Sequence, residues 1–219
     1  MIDISKPSSG LVEAQPVDGS VDNEMAERVL RGMSKWPDVP AVYNWLSLDR
    51  RGRWLMKSSE ITHPLLLGFI NQHYFVADDG SYYFQNGPQQ VFIELEITPY
   101  VFGLAGNKLL TQNHLEVGSV EAAWLSDQGD LLLQTDLGPG LIDDRYLAQV
   151  EEWVMVDGDR DQVLAQLLAG DNNLSVRLTS ELVGFDLPLL PISSNSLETV
   201  LGFIARPTPP DDDKEYCVE

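Results

Sequence analysis

The side chains most able to exchange a proton or hold a metal near neutral pH are the three histidines, His63, His73 and His114. His63 and His73 lie ten residues apart, a spacing that does not share a helical face. Glu60-x-x-His63 matches half of a carboxylate-bridged di-iron pattern, which needs a second Glu-x-x-His and two more helical glutamates. No second copy is present. Asp157, Asp159 and Asp161 begin like a calcium loop, but positions six and twelve, which require Gly and Glu, are Gln162 and Leu168. An acid-rich helix start accounts for them instead. Cys217 is the single cysteine and lacks the electropositive setting that activates a thiolate. There is no Gly-x-Ser-x-Gly elbow and no Gly-Lys-Ser/Thr phosphate loop. Glu94 and Glu96 would form a glycosidase pair only inside a cleft. Neither cofactor nor metal is expected.

Two patches are better suited to binding than to reaction. Arg50, Arg51, Arg53 and Lys57 form the chain's one basic cluster, between or beside Trp45 and Trp54. It could grip an anion, but a charged, soluble turn tip is the simpler reading. The second patch is the amide-rich corner Gln85-Asn86-Gly87-Pro88-Gln89-Gln90. Amides offer both donors and acceptors, and aromatics beside them suit recognition. The expected contact surface for a protein or small-molecule ligand is therefore Asn71, Tyr74, Tyr83, Gln85, Asn86 and Gln89.

Short β-hairpins must position these residues. Tyr74–Ala77 and Ser81–Phe84 flank Asp78-Asp79-Gly80, a strong hairpin signal because the turn needs positive φ. Val91, Ile93, Leu95 and Ile97 alternate with Phe92, Glu94 and Glu96, which predicts a third strand with one buried face. Val42–Leu48 with Arg53–Met56, and Val120–Leu125 with Leu131–Thr135, read as two further hairpins. Leu109-Leu110 and His114–Val117 suggest an edge pair after a loop at 103–108. Thr62 is the expected cap of a helix over Leu65–Gln72, and Asn23 of one over Glu24–Met33. Gly138-Pro139-Gly140 reads as a turn, with a helix starting near Asp143, though Trp153–Val156 also suits a strand. Asp159 or Asp161 should cap Gln162–Leu168. Leu174–Leu178 and Val183–Leu187 read as strands, and Pro188 and Pro191 as breaks. Trp124-Leu125-Ser126 echoes Trp45-Leu46-Ser47, which hints at two similar halves.

The string LGFINQHYFVADDGSYYFQNGPQQVFIELEITP, Leu67–Pro99, resembles the central block of a family of small proteobacterial proteins of unknown function. The shared pattern is Gly68–Asn71, Tyr74, an Asp-x-x-Gly turn carried here as Asp78 or Asp79 with Gly80, Phe84–Gln89 and Leu95–Pro99. Trp36–Trp54 is similar to that family's opening. The resemblance implies a bacterial cytoplasmic setting and no particular activity.

The chain has 219 residues, 43% of them hydrophobic, and a net charge of −20, so it can bury a sizeable core. Residues 1–120 carry 14 acidic and 9 basic side chains, and residues 121–219 carry 20 and 5. Such a surface repels phosphate backbones and anionic lipid, so no nucleic acid or membrane is expected as a partner. One cysteine fits a reducing compartment, and no apolar run approaches a membrane span; the protein is read as cytoplasmic. The expected class is α+β, mainly antiparallel β-hairpins and meanders with a few short packed helices. Its expected organisation is a flexible leader at 1–22, an aromatic half at 23–102, an acidic half at 103–206 and a disordered acidic tail at 207–219. The leading reading is a small binding or interaction protein without catalysis. The alternatives are a hydrolase or transferase with a site between the halves, and an acidic decoy that captures a basic protein.

Overall fold

Alternating apolar residues and glycine-bearing turns build two β-sheets. A computed structural model describes residues 41–181 and 183–210, all within one of the two units into which the chain divides, Pro37–Glu219. The leader, the expected helix over 24–33 and most of the acidic tail lie outside the described residues.

The first sheet has the order β3-β2-β1-β6-β5-β4. β1 is Ala41–Leu48, β2 Trp54–Met56 and β3 Ser59–Glu60. Helix α1, Pro64–Gln72, follows, then β4 Tyr74–Val76, β5 Tyr82–Asn86 and β6 Gln89–Leu95. In β6 every second residue from Gln89 to Leu95 is buried, as a half-buried strand requires. Gly80, at φ 89°, closes the β4–β5 turn, a conformation glycine adopts without steric cost.

The second sheet has the order β12-β13-β14-β9-β10-β11-β7-β8. β7 is Tyr100–Ala105, β8 Lys108–Thr111, β9 Val120–Ser126, β10 Leu131–Thr135 and β11 Gly138–Ile142. A 3-10 turn at Asp144–Tyr146, helix α2 at Leu147–Val150 and a second 3-10 turn at Glu151–Trp153 lead to β12, Val154–Val156. Helix α3 is Arg160–Leu168, β13 Val176–Ser180, β14 Phe185–Ile192 and helix α4 Leu197–Leu201.

The α+β class holds, but both sheets are mixed. Parallel pairs join β1 to β6, β7 to β11 and β9 to β14. A parallel neighbour needs a long crossover; helical segments lie within those of β1–β6 and β9–β14, while β8, β9 and β10 make up that of β7–β11. The two sheets also share a plan. β1, β2, β3, α1, β4, β5 and β6 follow one another as β9, β10, β11, α2, β12, β13 and β14 do, save that α3 lies between β12 and β13, and these six strands keep the same order in each sheet, to which the second adds β7 and β8. The registers match as well. Leu48 faces Trp54 and runs beside Leu95; Leu125 faces Leu131 and runs beside Pro191. Tyr74 faces Phe84, which faces Val91; Val154 faces Leu178, which faces Leu187. Asp49 Oδ1 accepts from the N–H groups of Arg51 and Arg53, and Ser126 Oγ accepts from those of Gln128 and Asp130. This pairing matches Leu48 with Leu125, so the Trp-Leu-Ser echo is two residues out of structural register.

Several local expectations are corrected. His63, not Thr62, is the N-cap of α1, because Pro64, with φ preset for the first helical position, opens the helix; no side-chain bond closes this cap. Gly138–Gly140 is not a turn but the start of β11. A Cβ on Gly140 would lie 2.6 Å from the Tyr100 carbonyl and 2.5 Å from Phe102, so glycine here permits close strand packing. Gly103–Ala105 belongs to β7 rather than to a loop. β8 pairs with β7, while His114–Val117 adds only the bridge between Leu110 and Glu116. Pro188 and Pro191 sit inside β14. The strand changes partner between them: Pro188 pairs with β13, and Leu189 onward with β9. Each half thus has one free side where a missing N–H costs nothing. The helix expected from Asp143 is broken into 3-10 and α turns, capped by Asp143.

Candidate functional site

The basic hairpin turn of the first sheet reaches residues of the second. Arg50 Nη2 lies 2.6 Å from Asp130 Oδ1, and Arg51 Nη2 lies 2.9 Å from Asp144 Oδ2. Arg53 pairs with Asp49 at 2.6 Å, and the Lys57 ammonium sits 4.3 Å above the Trp45 ring. The expected charged turn is therefore largely paired within the chain.

Beside this turn lies a cleft of about 300 Å³. It is lined by Arg51 and Gly52, by Val101 and Gly103–Ala105 of β7, and by Asp143, Arg145 and Tyr146. The close fit of Tyr146 against β7 depends on Gly103, where a Cβ would meet the ring at 2.9 Å. His114 completes the rim in a left-handed conformation, φ 64°. Its turn is closed by Thr111, whose carbonyl accepts from His114 N and whose hydroxyl accepts from Leu115 N.

Asp143 is almost fully buried. Burial raises its pKa, but hydrogen bonds from Arg145 outweigh that and hold the carboxyl below the usual range. Arg145 donates from Nε to both carboxylate oxygens, at 3.0 and 2.8 Å, and from Nη2 to Oδ2. Its Nη1 makes no hydrogen bond among the described residues, and Arg51 spends only Nη2 on Asp144. Two residues that line the cleft therefore keep guanidinium N–H donors beyond those spent on Asp144 and Asp143. Asp143 is saturated by Arg145 and cannot also serve as a base. Among the described residues no hydrogen bond or ion pair joins His63, His73 or His114 to a carboxylate, and no group of three or more potential ligands comes together for a metal.

The amide corner is largely turned to internal tasks. Asn71 Oδ1 accepts the Trp54 indole N–H at 2.8 Å. Tyr74 is buried, donates to the Pro99 carbonyl at 2.8 Å and packs on Trp54, Tyr82 and Tyr100. Burial, with Tyr100 and Tyr82 nearby, pushes its phenol pKa well up. Gln85 Nε2 donates to the carbonyls of Gly87 and Gln89, and Asn86 donates to the side chain of buried Gln89. Tyr83 is only half-buried, on the outer face between Phe75 and Phe92, with 6.0 Å to each ring centroid. Sequence reasoning reached Arg51 and His114 separately but not Asp143, Arg145 and Tyr146. An Asp-x-Arg step at a strand exit is too common a pattern to mark a cleft.

No curated protein matches the chain. Among solved structures, a DUF1285 family protein from Silicibacter pomeroyi DSS-3 is similar with a TM-score of 0.46 and 16% identity, over 74% of this chain and 87% of that one. Another, from Shewanella baltica OS155, has a TM-score of 0.37 and 15% identity, over 49% of this chain and 90% of that one. A family model, DUF2944, described as "Protein of unknown function (DUF2946)", matches residues 25–208, most of the chain, which therefore belongs to that family of unknown function.

Proposed function

We propose that this protein is a small bacterial cytoplasmic binding module, acting without catalysis, whose cleft holds a small anion such as a carboxylate or phosphate. The observation that carries the reading is that Arg51, from the first hairpin turn, and Arg145, from the exit of β11, line one cleft. In a chain of net charge −20, two guanidinium groups with unused donors favour an anion of small size over a nucleic-acid strand. The cytoplasmic setting rests on the single cysteine. No described helix is long and apolar enough to cross a membrane.

The test is calorimetric titration with inorganic phosphate and with citrate at low salt, repeated with Arg51→Gln. Arg51 is half exposed, so its replacement leaves the fold intact. One-site binding, weakened about tenfold or more by the substitution and by added salt, is expected for a charge-assisted contact. Absence of binding by either anion, or binding indifferent to Arg51→Gln, rejects the reading.

A protein contact through Tyr83 is a second reading. Phe75, Tyr83 and Phe92 form a row on the outer face of the first sheet, and Tyr43 stacks on Phe92 at 4.6 Å. Phe75 and Val76 are largely exposed. Loss of a captured partner on Tyr83→Ala, with no change in anion binding, would favour it.

A further inference from the structure

The two sheets place side chains of very different size at matching positions. Trp54, opposite Leu48, corresponds to Leu131, opposite Leu125. Tyr74, opposite Phe84, corresponds to Val154, opposite Leu178. In the first sheet the indole and phenol rings meet edge to face, 5.3 Å between centroids, and are almost wholly buried against α1. In the second sheet the smaller Leu131 and Val154 line a cavity of about 410 Å³ together with Leu147, Ala148 and Val150 of α2. Leu125, Leu131, Val154, Leu164 and Leu189 line it, and Leu147, 37% exposed, stands at its rim. Trp153, next to Val154, packs edge-on against Phe185 and takes no part in the lining.

We propose that this cavity is a binding site for a small planar aromatic molecule carrying no negative charge. The molecule's own first sheet shows what fills the matching place: an indole and a phenol ring. The volume lies in the range of ligand pockets, roughly 300–1,000 Å³, and apolar cavities of about 150 Å³ already accept benzene. Of the residues that line the cavity Glu151 alone is charged. Arg160 lies 4.0 Å from its carboxylate, so the pocket itself supplies no unpaired cation for an anion, and a chain of net charge −20 disfavours fatty carboxylates of similar apolar bulk. The site shares no lining residue with the arginine cleft and excludes the anions that cleft would take, so either can fail without the other.

Indole is the probe, titrated into the full chain and followed by methyl NMR. Saturable one-site binding is expected, with the largest shifts at Leu125, Leu131, Val154, Leu164 and Leu189. Leu131→Trp should fill the space and weaken indole binding at least about tenfold, as a pocket occupied from within would. Overpacking could instead unfold that variant, so Leu147→Trp, at the exposed rim, provides the same block without touching the core. Dodecanoate at equal concentration should leave the methyl signals unmoved. The proposal is overturned by non-saturating indole shifts, by shifts centred on other methyls, by Leu147→Trp binding indole as wild type does, or by dodecanoate competing for the cavity.

Discussion

The side-chain oxygen of Asn71 accepts the indole N–H of Trp54 at 2.8 Å, while its main-chain oxygen accepts Asn113 Nδ2 at 3.3 Å. One residue at the end of α1 thus anchors the central aromatic of the first sheet and the turn that carries His114. Trp54 is almost completely buried, so its N–H has no recourse to water.

Asn71→Leu is therefore expected to destabilise the protein by about 1–3 kcal/mol, the cost of leaving a buried donor unpaired. Urea denaturation measures it. Trp54→Phe removes the donor as well as the indole's bulk, so Asn71→Leu should cost markedly less in that background than in wild type. Equal costs in both backgrounds would show that the hydrogen bond contributes nothing.

Hairpins were legible because their signals are local. Asp78-Asp79-Gly80 and the Val91–Leu95 alternation each fix a turn or a face within a few residues, and the corresponding strands pair as Tyr74 with Phe84 and Phe84 with Val91. The parallel neighbours were not legible. Leu48 beside Leu95 and Leu125 beside Pro191 depend on crossovers whose return path no short pattern encodes. The prolines in β14 misled for the same reason, since a strand with one partner on each half tolerates them. At the cleft, Arg51 stood out as part of a basic run, but its companion Arg145 arrives from a residue 94 positions later in the chain. The amide corner drew notice through composition, yet most of its groups close their own turn.

Asp143 makes stability depend on acid in a defined direction. Its folded carboxyl has a pKa below the ordinary value, because the Arg145 hydrogen bonds outweigh its burial. Between the folded and unfolded pKa values the unfolded chain binds more protons, so stability rises with pH there. The contribution is present above about pH 4, the ordinary aspartate value, and is lost as pH falls through the folded value. Asp143→Asn should be less stable than wild type at pH 7, and the gap should close on acidification. A gap that persists unchanged to the lowest pH at which both fold would show that packing, not the charge, makes the difference. Comparison with the variant removes the shared contributions of Asp127 and Asp186, whose carboxyls are also lowered, by Ser194 and Arg177 respectively.

His114 separates the geometry of the cleft from its chemistry. The residue holds φ at 64°, a conformation that suits glycine and strains a β-branched residue. His114→Gly should change stability by less than about 1 kcal/mol, since relief of strain and added chain entropy oppose each other. His114→Val should be less stable than His114→Gly by roughly 1–2 kcal/mol. Thermal unfolding of the pair tests that order, and equal stability would mean that the turn relaxes freely. Both variants lack the imidazole. A phosphate affinity lost equally in the two would assign His114 a direct contact with the anion. A loss confined to the valine variant would show that the Thr111–Leu115 turn shapes the rim while Arg51 and Arg145 do the binding.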